Sequence, residues 1–98
     1  MTIQKEQTGS NVAIALEGRL DTTTAPELEA ELKTVLDQAE TLTFDFSKLD
    51  YISSAGLRVL LSAHKTMSKK GGMKITNVNE IVQEVFEVTG FADILTIE

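Results

Sequence analysis

The chain has no cysteine, one proline, one histidine and no run of about 18 apolar residues. Each shortage closes a class of function. Without cysteine there are no disulfides, no zinc–thiolate sites and no thiol nucleophile, which fits a reducing compartment. The opening stretch MTIQKEQTGS lacks the apolar centre of a signal peptide, so the reading is a soluble, cytoplasmic protein with no membrane partner. Basic charge is also scarce. Nine Lys and Arg face fifteen Asp and Glu, for a formal charge of −6. Nucleic acid is therefore not expected as a partner, because phosphate binding is driven by basic residues. One histidine cannot build a histidine-rich metal site. Neither G-x-x-x-x-G-K-[ST] nor G-x-G-x-x-G occurs, so no nucleotide loop, cofactor or metal is expected.

What is present is patterned. At 98 residues and 42% hydrophobic content the chain suits one globular domain over residues 1–98. Period-two alternation marks strands at NVAIALEG, TLTFDFS, MKITN and ILTIE, and TIQKEQ reads as a polar edge strand turning through TGSN. Helical spacing links Leu28, Leu32, Val35, Leu36 and Ala39, with Thr24 as cap and Pro26 in the first turn. A second helix places Leu57, Leu60, Leu61 and Met67 on one side and ends at Gly71 or Gly72. A third buries Ile81, Val82, Val85 and Phe86 between Asn79 as cap and Gly90 as stop. The order β-β-α-β-α-β-α-β predicts an α/β fold: a mixed, mostly parallel sheet of four to five strands. A sheet covered on both faces would show continuous aliphatic strands. These alternate, so the helices are expected mainly on one face.

The stretch DYISSAGLRVLL places two serines, an alanine and a glycine where a strand gives way to a helix. Ser54 does not sit in the G-x-S-x-G of a nucleophile elbow. The only histidine, His64, lies about 15 Å further along the same helix and cannot serve as its base. Asp21, Asp45 and Asp50 show no spacing that pairs them for acid–base work. A bare helix terminus could attract an anion, but most α/β proteins have one. Ser53 or Ser54 could simply cap the helix, yet a cap does not explain Gly56. A serine exposed at a helix N-terminus is also a good acceptor for a phosphoryl group, which would add about −1.5 to −2 of charge.

Together with EGRLDTTTAPELEAEL, this stretch resembles the STAS-domain family of bacterial anti-sigma factor antagonists, and the resemblance covers the whole chain. Gly18-Arg19-Leu20-Asp21 matches the family's G-x-[LI]-D motif in full. Gly56-Leu57 anchors its D-S-[ST]-G-L motif, which puts Ser54 at the phosphorylated position. Ser53 stands where the family usually has aspartate, and Ala55 where it has serine or threonine. Ser53 is thus a rival acceptor. The resemblance implies a binding switch and not an enzyme. The unmodified domain binds an anti-sigma factor, usually a serine kinase, and frees a sigma factor for transcription. The kinase phosphorylates the antagonist, and a PP2C-type phosphatase resets it. The implied partner surface comprises Asp21, Thr22, Thr23, Ser53, Ser54, Ala55, Gly56 and Arg58. Arg58, Lys65 and Lys69 share one stripe of the second helix, which also suits a merely solvated basic face. The alternative is a STAS scaffold or sensor module that is never phosphorylated, binding a protein partner or a small anion or nucleotide.

Overall fold

The computed structural model describes residues 1–98. Strands β1 (Thr2–Thr8) and β2 (Asn11–Leu20) form an antiparallel hairpin whose turn is opened by Gly9 at φ 62°. Helix α1 (Ala25–Val35), β3 (Thr41–Ile52), α2 (Ser54–Met67), β4 (Met73–Thr76), α3 (Glu80–Thr89) and β5 (Thr96–Ile97) follow. The five strands lie in the order β1-β2-β3-β4-β5, with every pair after the hairpin parallel. A 3₁₀ turn at Phe91–Asp93 leads into β5.

Burial follows the strand alternation. Val12, Ile14, Leu16, Leu42, Phe44, Phe46, Met73 and Ile75 are buried against the helices. On the other face Ala13 and Lys74 are exposed, and Thr43, Asp45 and Thr76 are half-buried. The helices therefore cover one face, as the alternation predicts. The core is one cluster of 24 hydrophobic residues with no buried polar or charged side chain.

Three features depart from the sequence reading. Strand β3 runs on to Ile52, well past TLTFDFS, because two irregularities in its pairing with β2 reset its pleat. They let Phe46, Leu49 and Ile52 all face inward at a spacing of three, where period two would turn Leu49 outward. Ile81 is 60% exposed and is not a core residue, because one turn of α3 saturates its contact with the sheet through Val82 and Phe86. Leu36 and Leu61 are only half-buried, and Lys69 lies beyond the end of α2. Asn79 does cap α3, its Oδ1 accepting the Val82 N–H at 2.8 Å, and Gly90 closes that helix at φ 83°. Asn79 Nδ2 also donates to the Leu49 carbonyl at 2.8 Å and ties α3 to β3.

Candidate functional site

Parallel pairing brings the candidate residues together. Leu20 and Ile52 end β2 and β3 in register, so the residues after them, Asp21 and Ser53, leave the sheet side by side. The Ser53 N–H donates to the Leu20 carbonyl at 2.9 Å and pins the start of α2 to the end of β2. Packing then requires Gly56. A Cβ there would stand 2.7 Å from Leu20 Cγ and 2.9 Å from Ile52 Cγ1, both inside van der Waals contact. The small residue lets α2 sit directly on the two strand ends.

The two serines have different surroundings. Ser53 holds the cap position with extended backbone, φ −101° and ψ 176°, but its hydroxyl caps nothing. That Oγ is buried and has no hydrogen-bond partner. Ser54 is the first helical residue and is exposed. The first backbone bond of the helix is Leu57 N–H to Ser53 O at 3.0 Å, and no side-chain hydrogen bond caps α2. The N–H groups that open α2 keep the partial positive charge of a helix N-terminus beside Ser54. Ala55 is half-buried, and Arg58 is exposed one turn beyond Ser54.

The loop after β2 is organised by its own polar groups. Asp21 Oδ1 accepts from Thr23 N–H at 3.0 Å, Thr23 Oγ1 at 2.7 Å and Thr24 N–H at 3.2 Å. Thr24 Oγ1 accepts the Asp21 N–H at 2.9 Å and donates to the Arg19 carbonyl at 2.8 Å. Thr24 thus stands at the cap of α1 but bonds backwards into the loop and makes no side-chain cap. The Thr23 hydroxyl, helped by the Thr23 and Thr24 N–H groups, holds the Asp21 carboxyl below the usual carboxylate range. Asp21 is therefore a fixed negative charge next to the start of α2. Its Oδ2 faces Arg19 Nε at 3.7 Å, and the Arg19 guanidinium lies 4.5 Å from the centre of the Tyr51 ring. Thr22 and Thr23 are exposed.

Thr22 and Arg58 meet again across a groove of about 440 Å³ between α1 and α2, floored by Ala25, Leu32, Ala55 and Val59. His64 lies along α2, remote from Ser54, with its Nδ1 buried and unpartnered. No set of three or more His, Asp or Glu side chains converges as metal ligands, and no helix is long and apolar enough to cross a membrane.

The Arg19–Tyr51 contact, the anchoring role of Thr24 and the Asn79–Leu49 tie were not among the sequence candidates. A D-T-T-T run carries a local signal for Asp21 bonding the backbone ahead of it. The Arg19–Tyr51 contact depends on β2–β3 register and the Asn79–Leu49 tie on the docking of α3 against β3, and neither has a local signal.

Comparison with known proteins bears on the family and the fold. The STAS domain family model matches residues 2–98. BtrV of Bordetella bronchiseptica, named as a candidate anti-sigma factor antagonist, is 34% identical over 99 residues, covering 99% of this chain and 85% of that protein. The anti-sigma-B factor antagonist of Bacillus subtilis is 28% identical over 98 residues, covering 99% of this chain and 90% of that protein. Among solved structures, an anti-sigma factor antagonist from Mycobacterium paratuberculosis has a TM-score of 0.88 at 23% identity, over 98% of this chain and 83% of that one. Unphosphorylated SpoIIAA scores 0.84 at 23% identity, over 99% and 88%. The family model spans both motif regions, which parallel pairing of β2 and β3 sets at one end of the sheet, and this chain belongs to the STAS domain family.

Proposed function

We propose that the protein is an anti-sigma factor antagonist controlled by phosphorylation of Ser54. The observation that carries the reading is the contrast at the mouth of α2. Ser54 Oγ is exposed on a rigid element, while Ser53 Oγ is buried. An incoming kinase reaches the first and not the second. The unmodified surface, formed by Asp21, Thr22, Thr23, Ser54 and Arg58, binds an anti-sigma factor that is itself a serine kinase. That contact holds the kinase away from its sigma factor.

In the transfer step Ser54 Oγ attacks the γ-phosphorus of the kinase's ATP. The Oγ–P bond forms, the bond to the β-phosphate oxygen breaks, ADP leaves and the hydroxyl proton passes to a base of the kinase. The chain itself supplies no base, so it acts as substrate and binding module and not as enzyme. The added phosphate lies beside the Asp21 charge and must lose water to rebind the partner. A penalty of about 3 kcal/mol lowers affinity roughly 100-fold. A PP2C-type phosphatase restores the hydroxyl. This cycle is placed in the cytoplasm, where sigma factors and ATP are found.

The test is intact and peptide mass spectrometry after mixing the protein with its cognate kinase and ATP. One phosphate on Ser54 is expected, and none on Ser54→Ala, which should keep its fold and its affinity for the kinase. Full labelling of Ser54→Ala would transfer the role to Ser53. No labelling of either, with undiminished binding, would favour the unmodified scaffold.

A further inference from the structure

We propose that the exposed face of α3 is a second docking surface, and that it takes a basic amphipathic helix of a protein partner. Two independent features coincide there. The first is charge. Residues 1–74 hold nine bases and ten acids, whereas residues 75–98 hold five acids and no base. Almost the whole net charge thus resides in α3 and the segment after it. The second is apolar exposure. The large exposed hydrophobic residues of the molecule are Ile81, Val88 and Ile94, at 60%, 80% and 46%, and all belong to the same segment.

The arrangement is regular. Ile81, half-buried Val85 and Val88 follow i, i+4, i+7 along one stripe of α3. Glu80, Glu84 and Glu87 repeat that spacing one residue earlier, about 100° round the helix. An open groove of about 310 Å³ runs along the acidic stripe, lined in part by Glu80, Gln83, Glu84 and Glu87. Of the stripe only Val85 packs partly against the core; Val82 and Phe86 hold α3 to the sheet, and Ile81 and Val88 are left to the surface.

This pattern selects its occupant. Three aliphatic side chains over two helical turns match the anchor spacing of a partner helix. The flanking carboxylates call for Lys or Arg beside the partner's apolar stripe. A second copy meeting this face about a two-fold axis would set glutamates against glutamates. Anionic lipid is repelled for the same reason. The surface shares no residue with 21–23 and 53–58, the residues of the proposed switch.

The experiment uses the full chain and a synthetic peptide of about 14 residues, with Leu at i, i+4, i+7 and i+11 and Lys and Arg on either side. Its control is a scrambled peptide of the same composition. Nitrogen-15 NMR titration should move resonances of residues 80–98. Binding should weaken at least about tenfold for the scrambled peptide and for I81S/V88S, the loss expected when interface anchors are removed. E84Q/E87Q should bind less tightly and with less dependence on salt. Both variants alter exposed residues, and unchanged circular dichroism and thermal midpoint should confirm the fold. No binding, equal binding of the scrambled peptide, or shifts centred on α2 would overturn the proposal. So would sedimentation showing that the free protein dimerises through Ile81 and Val88, which would make the occupant a second copy.

Discussion

At the scale of single residues, Gly56 makes the sharpest statement, because two opposing effects can be weighed there. Alanine would favour the helix by up to about 1 kcal/mol. Its Cβ, however, would press on Leu20 and Ile52, both about fully buried and without room to retreat. Overpacking of this kind costs about 1–3 kcal/mol. Gly56→Ala should therefore destabilise the protein by a net 1–2 kcal/mol or so, read as a lower urea midpoint with an unchanged slope. An unchanged or higher midpoint would show that α2 can lift off the strand ends. The glycine's close contact was legible in the sequence, since a glycine early in a leucine-rich helix lacks another reason. The contrast between Ser53 and Ser54 was not. Both precede or open the same helix, and only the tertiary placement of α2 decides which hydroxyl faces water.

At the scale of elements, the irregular end of β3 explains what alternation could and could not reveal. The regular part, from Leu42 to Phe46, obeys period two and was readable, as were the hairpin, the Asn79 cap and the Gly90 stop. Beyond Phe46 the strand changes phase, and no residue type announces it. The change is held by Asp45, whose Oδ1 accepts the Ser47 N–H at 2.9 Å and the Asn77 amide at 3.1 Å. Those bonds, the Ser47 N–H foremost, keep the Asp45 carboxyl below the usual carboxylate range. The sign follows. A carboxyl depressed in the fold contributes stability above its unfolded value, about 3.9, and loses it as pH falls through the folded value. Asp45 and Asp21 should therefore leave stability level from neutral pH down to about 5, with a fall below about 4. Asp45→Asn keeps an acceptor without a titrating group, so its thermal midpoint should decline less steeply in acid. Parallel declines for both proteins would remove Asp45 from the account. The exposure of Ile81 was misread for a related reason. A 3.6 period marks which residues could face a core, but how wide a stripe the core covers depends on the neighbours. Here Val82 and Phe86 are the fully buried residues of α3, and the stripe is narrow. Ile81→Ser should shift stability by less than about 0.5 kcal/mol, while Phe86→Ala should cost about 3–5, both measurable by urea denaturation.

At the scale of the whole molecule, the helix N-terminus argues for a local switch. A phosphate on Ser54 meets free N–H groups that favour negative charge, so modification should not unfold or rearrange the domain. Chemical-shift changes in the phosphorylated protein should be confined to residues near the starts of α1 and α2. Changes spread through Phe44, Phe86 and Ile75 would call for an allosteric account instead. The order of strands has a consequence of another kind. Each strand pairs with the one made just before it, from β1 through β5. No strand waits for a distant partner, and each crossover closes a short span of chain, which keeps the entropy of loop closure low. Such a topology can assemble in the direction of synthesis: the hairpin first, then each helix and strand laid against an edge already built. The growing sheet always exposes one unfinished edge, and the last to cover it is β5, two residues long. During translation that moving edge, more than any face of the finished protein, is where a nascent chain would be open to mispairing.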